Sequence, residues 1–107
     1  MSASAEYDPV GPSREEVDRL AGATVLEFGT PWCGYCRAAQ PIIAAAFADR
    51  SEVRHVKVED GPGKPLGRSF RVKLWPTLVF LKDGRELARS VRPRSEDEVR
   101  RGLDTIS

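Results

Sequence analysis

The chain alternates between short apolar runs and longer stretches in which apolar residues recur every three or four positions. The first pattern is typical of strands and the second of amphipathic helices. In chain order, the patterns predict a helix over 14–21, a strand over 24–28, a helix from 36 to about 48, a strand over 53–58, a short helix over 64–70, strands over 77–81 and 86–91, and a C-terminal helix that carries Val99, Leu103 and Ile106.

Several of these elements also carry signals at their ends. Ser13 and Ser95 are each followed three residues later by Glu, which is the spacing of a capping box at a helix N-terminus. Asp83-Gly84 lies between two strand-like runs and predicts a two-residue hairpin. Pro41 falls inside the second helix, where it removes a backbone donor and is expected to kink the axis.

The order of the elements predicts an α/β fold. The first two strands are joined through a helix, which favours parallel pairing, whereas the last two form an antiparallel hairpin. A central mixed β-sheet flanked by helices follows from this order. The length of 107 residues is enough for one domain only. We expect a flexible arm over 1–12 and a folded domain over 13–107.

Composition and charge exclude several classes of protein. Seventeen basic and sixteen acidic residues give a net charge of +1, which argues against a nucleic-acid-binding protein. No apolar run reaches the ~20 residues of a membrane span. The first 22 residues contain no apolar stretch and carry five carboxylates, unlike a secretory signal or a transit peptide. We therefore expect a cytoplasmic protein, and nothing indicates that it is other than a monomer.

The chain contains two cysteines, Cys33 and Cys36. A disulfide between them would close too short a loop to stabilise the fold much, so their role is chemical. They come directly after a predicted strand and begin a helix, where free N–H groups and the helix dipole stabilise a thiolate. A thiolate is the nucleophile in disulfide exchange. The spacing predicts that Cys33 is the exposed nucleophile and Cys36 the inward partner that closes the disulfide.

Two other interpretations of the cysteine pair remain open at this point. The pair could be half of a zinc site, although zinc usually takes four ligands and the chain adds only one histidine and scattered carboxylates. The two thiols could also be inert core residues. No metal ligand is predicted.

Four motifs taken together resemble the thioredoxin family. The resemblance covers about 24–107 and implies the thioredoxin fold, with reversible thiol–disulfide exchange as the activity. The family's first edge strand is expected to be short or missing, because the segment 7–10 contains Pro9 and makes a poor strand. The motifs are Trp32-Cys33-Gly34-Tyr35-Cys36, Pro41, Trp75-Pro76-Thr77 and Lys82-Asp83-Gly84.

The resemblance also assigns catalytic roles. It implies that Cys33 attacks the substrate disulfide and that Cys36 then resolves the mixed disulfide. It implies that Glu27 is a buried acid behind Cys36, with a pKa raised by desolvation, and that Lys57 faces it. Pro76 matches the family's cis-proline opposite the sulfurs. The alternatives are an ordinary trans proline, a solvent-exposed glutamate and a solvated lysine.

Around the cysteines, the resemblance implies a surface that contacts substrate. Tyr35 stands where thioredoxins have Pro and disulfide isomerases have His, which leaves the redox potential open. An arginine in the loop after the last strand, with Arg89 and Arg94 nearby, would favour acidic partners, unless these charges are simply solvated. His55 is expected to be an ordinary structural or exposed histidine. The substrate-binding positions are Trp32, Gly34, Tyr35, Trp75, Pro76, Thr77, Val91 and Arg92.

The resemblance therefore predicts a protein-disulfide reductase. It would bind no cofactor and would rely on the redox-active Cys33–Cys36 disulfide alone. Its electrons would come from a thioredoxin-reductase-type donor. Two alternatives remain open. The same chemistry could run in reverse, as in a disulfide oxidase or isomerase, or the fold could serve as a binding module with little turnover.

Overall fold

The structure is a computed structural model, and it describes residues 6–107. Eight elements are present in the predicted order, so the α/β arrangement is confirmed. They are α1 (Arg14–Asp18), β1 (Ala23–Gly29), α2 (Gly34–Phe47), β2 (Arg54–Glu59), α3 (Pro65–Ser69), β3 (Thr77–Lys82), β4 (Arg85–Val91) and α4 (Glu96–Ile106).

The four strands form one mixed sheet in the order β2-β1-β3-β4. Strands β1 and β2 are parallel, as expected for strands joined by α2, and place Glu27 beside Lys57. Strands β3 and β4 are antiparallel and are joined by the predicted Asp83-Gly84 turn. Both turn residues have positive φ, 50° and 80°, which suits the right-handed twist of a hairpin. The central strand β1 therefore has a neighbour on each side.

The two faces of the sheet bury different side chains. Helices α2 and α4 cover one face, and α1 and α3 lie on the other. Alternation along β1 sends Val25 to the α2 face and Leu26 to the opposite face. By the same alternation the Glu27 side chain points to the α2 face of the sheet. Its carboxylate therefore lies against the helix that begins at the cysteine pair.

Two helix boundaries differ from the predicted ones for local reasons. Helix α1 ends at Asp18 rather than 21, because the amides of Arg19 and Leu20 bond to carbonyls only three residues back and tighten the last turn. Helix α2 begins at Gly34, two residues earlier than predicted, because Cys33 acts as its N-cap. It continues through Pro41.

The chain before α1 does not behave as the expected arm. Residues 1–5 of that arm lie outside the described residues. Tyr7 is buried, and Asp8 forms a parallel bridge with Val58 of β2. The Asp8 amide donates to the Lys57 carbonyl, and the Glu59 amide donates to the Asp8 carbonyl, both at 2.9 Å. The expectation of a flexible arm is therefore wrong for these residues, since two backbone bonds and one buried ring hold them to the sheet.

Candidate active site

The two cysteines lie at the junction of β1 and α2. Cys33 is the N-cap of α2, and its sulfur accepts a hydrogen bond from the Cys36 amide at 3.2 Å. Both cysteines are present as free thiols. A sulfur that receives a backbone N–H at the positive end of a 14-residue helix is well placed to carry negative charge.

The two sulfurs differ less in solvent exposure than the sequence predicts. Cys36 is fully buried, as predicted, but Cys33 is only 7% exposed, so the prediction of an exposed nucleophile is wrong in degree. The ring of Trp75 packs against the same cluster and shields it. Burial, followed by the hydrogen bond with Cys33, raises the pKa of Cys36 to about 12. Cys36 is thus the more protected thiol and stays protonated at neutral pH.

A buried polar network surrounds the predicted acid. Glu27 has no exposed surface. Its Oε1 lies 2.8 Å from His55 Nε2, and its Oε2 accepts from the Tyr7 hydroxyl at 2.5 Å and from Gln40 Nε2 at 2.9 Å. The ammonium of Lys57 is further away, 3.9 Å from Oε2, and donates instead to Gln40 Oε1 at 2.7 Å. Each carboxylate oxygen therefore has at least one close partner.

This network reverses the expected pKa shift of Glu27. Burial alone would raise the pKa of the carboxyl. Hydrogen bonds from His55 and Gln40, together with the charges of His55 and Lys57, outweigh burial and hold the pKa below its ordinary value. The prediction of a raised pKa is therefore wrong, and Glu27 is an ionised acceptor at neutral pH.

The segment that faces the sulfurs is fixed by two further contacts. The Trp75–Pro76 peptide bond is cis, as the resemblance implies. Trp75 Nε1 donates to the buried carboxylate of Asp60 at 2.9 Å, which orients the ring. The Arg92 amide donates to the Pro76 carbonyl at 2.9 Å, so the loop after β4 lies beside this segment.

Comparison with known proteins agrees with this geometry. The family model described as Thioredoxin matches residues 13–105. The chain belongs to the thioredoxin family. It is 58% identical to thioredoxin 2 from Pseudomonas aeruginosa PAO1, solved in its reduced form, with a TM-score of 0.85 and 94% of each chain covered.

Two curated thioredoxin-fold relatives show the same likeness over shorter spans. The thioredoxin of Chlamydia trachomatis serovar D is 30% identical over 79 residues, which cover 74% of this chain and 78% of that one. The protein disulfide-isomerase of Gallus gallus is 34% identical over 78% of this chain but only 16% of its own length. The chain is therefore a thiol–disulfide oxidoreductase whose thioredoxin homologues are protein-disulfide reductases.

In this thioredoxin-family site, the predicted substrate-binding residues lie together around Cys33. Trp32 is 71% exposed and meets Trp75 edge to face at 5.8 Å between ring centroids. Tyr35 is also exposed, and the Arg92 guanidinium lies 3.7 Å from its ring centroid. Arg92 Nε donates to the Trp75 carbonyl at 2.8 Å, so this arginine ties two predicted contact residues together.

The other predicted positions differ more in accessibility. Gly34 begins α2 next to Cys33, and Val91 at the end of β4 is exposed. Pro76 and Thr77 are buried. Thr77 donates from its hydroxyl to the Leu74 carbonyl at 2.5 Å, so its side chain supports the loop.

Three residues of the site network carry no strong sequence signal. Tyr7 lies in a segment that looks like a poor strand, Gln40 is one polar residue on a helix, and His55 has no motif around it. The structure brings all three to Glu27. The only hint is the carboxylate inside an apolar strand, since such a group needs buried partners.

Two exclusions concern the described part of the chain. Within residues 6–107, no three His, Cys, Asp or Glu side chains are grouped so that they could hold a metal ion. None of the helices there is long and apolar enough to cross a bilayer.

Proposed function

We propose that this chain reduces disulfide bonds in other proteins through a dithiol–disulfide cycle of Cys33 and Cys36. The observation that carries the proposal is the placement of the two thiols. Cys33 caps the N-terminus of α2 at the edge of the surface, and Cys36 lies directly behind it with its amide bonded to the first sulfur. Cys33 keeps a small exposed fraction of 7% and Cys36 has none, so of the two thiols Cys33 is the one that a partner can approach.

The proposed cycle has two steps. The Cys33 thiolate attacks one sulfur of the substrate disulfide, forms a mixed disulfide and releases the first substrate thiol. Cys36 then loses its proton and attacks Cys33, which forms the Cys33–Cys36 disulfide and releases the second substrate thiol. The chain loses two electrons and two protons, and the substrate disulfide gains them as two thiols.

We assign Glu27 as the group that takes the Cys36 proton, and Lys57 as a positioning residue. Glu27 is ionised at neutral pH and lies next to the cysteine helix, so a carboxylate is available to accept the proton. Its lowered pKa makes it a weak base that acts only as Cys36 bonds to Cys33. The Lys57 ammonium donates to the Gln40 carbonyl oxygen, so the Gln40 amide nitrogen points at Glu27. The lysine thereby keeps the carboxylate ionised through Gln40 as well as through its own charge.

The surface around the cysteines supports a preference for acidic substrate segments. A cavity of about 610 Å³ beside Trp75 is lined by the four basic residues Lys64, Arg68, Arg71 and Lys73 and by one carboxylate, that of Asp60. Arg92 bonds to the Trp75 backbone carbonyl and adds a further positive charge nearby. Basic side chains at the rim of an interface speed the encounter with acidic partners. We therefore propose that Trp32, Trp75 and Val91 contact the substrate chain next to its disulfide. The basic residues beside Trp75 would then favour substrates with acidic residues near that disulfide.

A charge-matched comparison tests the substrate preference. Replacing Arg68 and Lys73 by Gln should lower kcat/KM for an acidic disulfide peptide by about twofold or more per charge at low salt, and the loss should fade at high salt. Arg100→Gln and Arg101→Gln, on α4, remove the same charge and are the control pair. Equal losses in both pairs, or an equal loss with a neutral peptide, would exclude the preference.

The remaining parts of the proposal concern partners and compartment. A reducing dithiol needs a donor, so we propose a thioredoxin-reductase-type partner and a cytoplasmic location, where thiols are kept reduced. No bound cofactor is needed, because the electrons are stored in the cysteine pair. We further propose that the chain acts as a monomer.

The function is tested with a protein that contains an accessible disulfide, and with dithiothreitol as the electron source. The wild-type chain should accelerate the appearance of substrate thiols, and Cys33→Ser should abolish this. Cys36→Ser should stop after the first step and accumulate a covalent complex that thiols release. If Cys33→Ser also traps partners, or if wild-type and Cys33→Ser chains reduce the substrate at the same rate, the assignment is wrong.

A further inference from the structure

Tyr7 lies between the two groups that exchange a proton in the resolving step. Its hydroxyl donates to Glu27 Oε2 at 2.5 Å, and its ring packs in the same buried cluster as Cys36. Across residues 6–107 the structure shows no direct hydrogen bond between Glu27 and Cys36. We propose that the Tyr7 hydroxyl relays the proton of Cys36 to Glu27, so that a residue from before α1 is a catalytic residue of this site.

The backbone of β1 is shaped to let these atoms meet. A Cβ atom at Gly29 would lie 2.7 Å from the Cys36 sulfur and 2.8 Å from the Tyr7 hydroxyl oxygen. Both atoms therefore point into the space that any larger residue would fill. Glycine at this position leaves room for the sulfur and the hydroxyl to approach the same point, which is the geometry that a relay needs.

Tyr7 is also held in place more firmly than a surface side chain. The Asp8 amide and the Asp8 carbonyl each form a backbone hydrogen bond with β2. The Lys57 ammonium lies 4.8 Å from the centroid of the Tyr7 ring, and Gln40 Nε2 lies 3.3 Å from its hydroxyl. The hydroxyl thus donates its proton to Glu27 and accepts from Gln40, and its second lone pair is left to face a thiol.

The proposed step balances as follows. While the Cys36 sulfur bonds to Cys33 and the substrate sulfur leaves as a thiolate, the Cys36 proton moves to the Tyr7 oxygen. The Tyr7 proton moves to Glu27 Oε2, and the leaving thiolate is protonated by solvent. Burial, followed by the charge of Glu27, raises the pKa of Tyr7, so the hydroxyl passes a proton without becoming a stable tyrosinate. The charged or titratable groups that face this path are Cys33, His55 and Lys57.

The relay rests on the proposed function, and one assay separates the two steps. Reduced protein is mixed with one equivalent of dithiobis-nitrobenzoate, whose two coloured thiolates are released in turn. The attack of Cys33 releases the first in a phase that depends on reagent concentration. Closure by Cys36 releases the second in a phase that does not. Tyr7→Phe keeps the ring and removes only the hydroxyl.

We expect Tyr7→Phe to leave the first phase unchanged and to slow the second by about tenfold or more near neutral pH, within the range of general acid–base effects. Without the relay, hydroxide has to remove the proton, so the second phase should rise about tenfold per pH unit between about pH 6 and about pH 8. The wild-type rate should rise much less. The double variant Tyr7→Phe/Glu27→Gln should be no slower than the slower single variant, because both act in one path.

Thr105→Val is the matched control, since it also removes one hydroxyl, which bonds to the Gly102 carbonyl within α4. It should leave both phases as in the wild type. A second phase in Tyr7→Phe that is unchanged, or slowed equally at every pH, would refute the relay, as would multiplying effects in the double variant. If the wild-type protein releases only one thiolate, the dithiol cycle itself fails and the proposed function is refuted instead.

Discussion

Gly29→Ala is the substitution that the structure predicts to disturb the site most specifically. Alanine is normally better than glycine inside a strand, so on backbone grounds the change should stabilise β1. In this structure the added Cβ would lie 2.7 Å from the Cys36 sulfur and 2.8 Å from the Tyr7 hydroxyl, where ordinary contact needs 3.4–4 Å. Neighbours therefore have to move by about 0.6 Å or more.

The cost of that movement sets the expected magnitude. The Cys36 sulfur belongs to a 14-residue helix and is fully buried, so the Tyr7 side chain should move first. Inserting a methyl group into a well-packed site costs about 1–3 kcal/mol. For a domain of this size, 1 kcal/mol lowers Tm by roughly 4–8 °C. We expect a Tm decrease of at least about 4 °C, together with a slower second phase in the two-step thiol assay.

Thermal unfolding followed by circular dichroism measures the first effect. Gly34→Ala is the stability control, because a Cβ at Gly34 would have nothing within 4 Å and alanine is the better helix former. That control should leave Tm unchanged or raise it. A Gly29→Ala protein as stable as the wild type would show that the sulfur and the hydroxyl do not meet at this point, and the geometry of the relay would be wrong.

Two further predictions concern stability. Because the folded-state pKa of Glu27 lies below its ordinary value of 4.5, its ionisation stabilises the fold fully above that pH, and this stabilisation is lost as pH falls through the folded pKa. Urea unfolding at several acidic pH values should therefore show a smaller loss of unfolding free energy in Glu27→Gln than in the wild type. An equal loss would contradict the direction of the pKa shift. Trp75→Phe should cost about 1–3 kcal/mol because it leaves the buried Asp60 carboxylate without its donor. Trp32→Phe, at a mostly exposed ring, should change the free energy of unfolding by about 0.5 kcal/mol or less, and equal effects of the two would show that the Asp60 bond does not matter.

Most of the fold was predictable from local patterns. Apolar periodicity identified all eight elements, and the Asp83-Gly84 pair identified the hairpin, because these signals depend on neighbours in the chain. The errors occur where tertiary contacts decide. The first edge strand is reduced to a single bridge between Asp8 and Val58, as Pro9 predicts, but that bridge and the buried Tyr7 ring still attach the segment to the sheet.

The candidate site shows the same division. The cysteine pair and the Trp75-Pro76 segment were recognisable because they are contiguous motifs. The direction of the Glu27 pKa shift was not predictable from the sequence. It depends on His55 and Gln40, which come from two other elements and meet the carboxylate only in the folded chain. The burial of Cys33 was not predictable either, because the ring that packs against the cysteine cluster belongs to Trp75, more than forty residues away.

The reduction potential of the Cys33–Cys36 pair tests the central claim most directly. It can be measured by equilibrating the protein in thiol–disulfide buffers and following tryptophan fluorescence. Burial raises the pKa of Cys36 to about 12, so only Cys33 gains from the helix N-terminus as a thiolate. Position 35 holds an uncharged Tyr where disulfide isomerases have His, so the dithiol form should be less stabilised than in an isomerase and the disulfide harder to reduce. A potential near the thioredoxin value of about −270 mV is the expected result. A value near or above about −180 mV, that of protein disulfide isomerase, would contradict reductase function and favour an oxidase or isomerase.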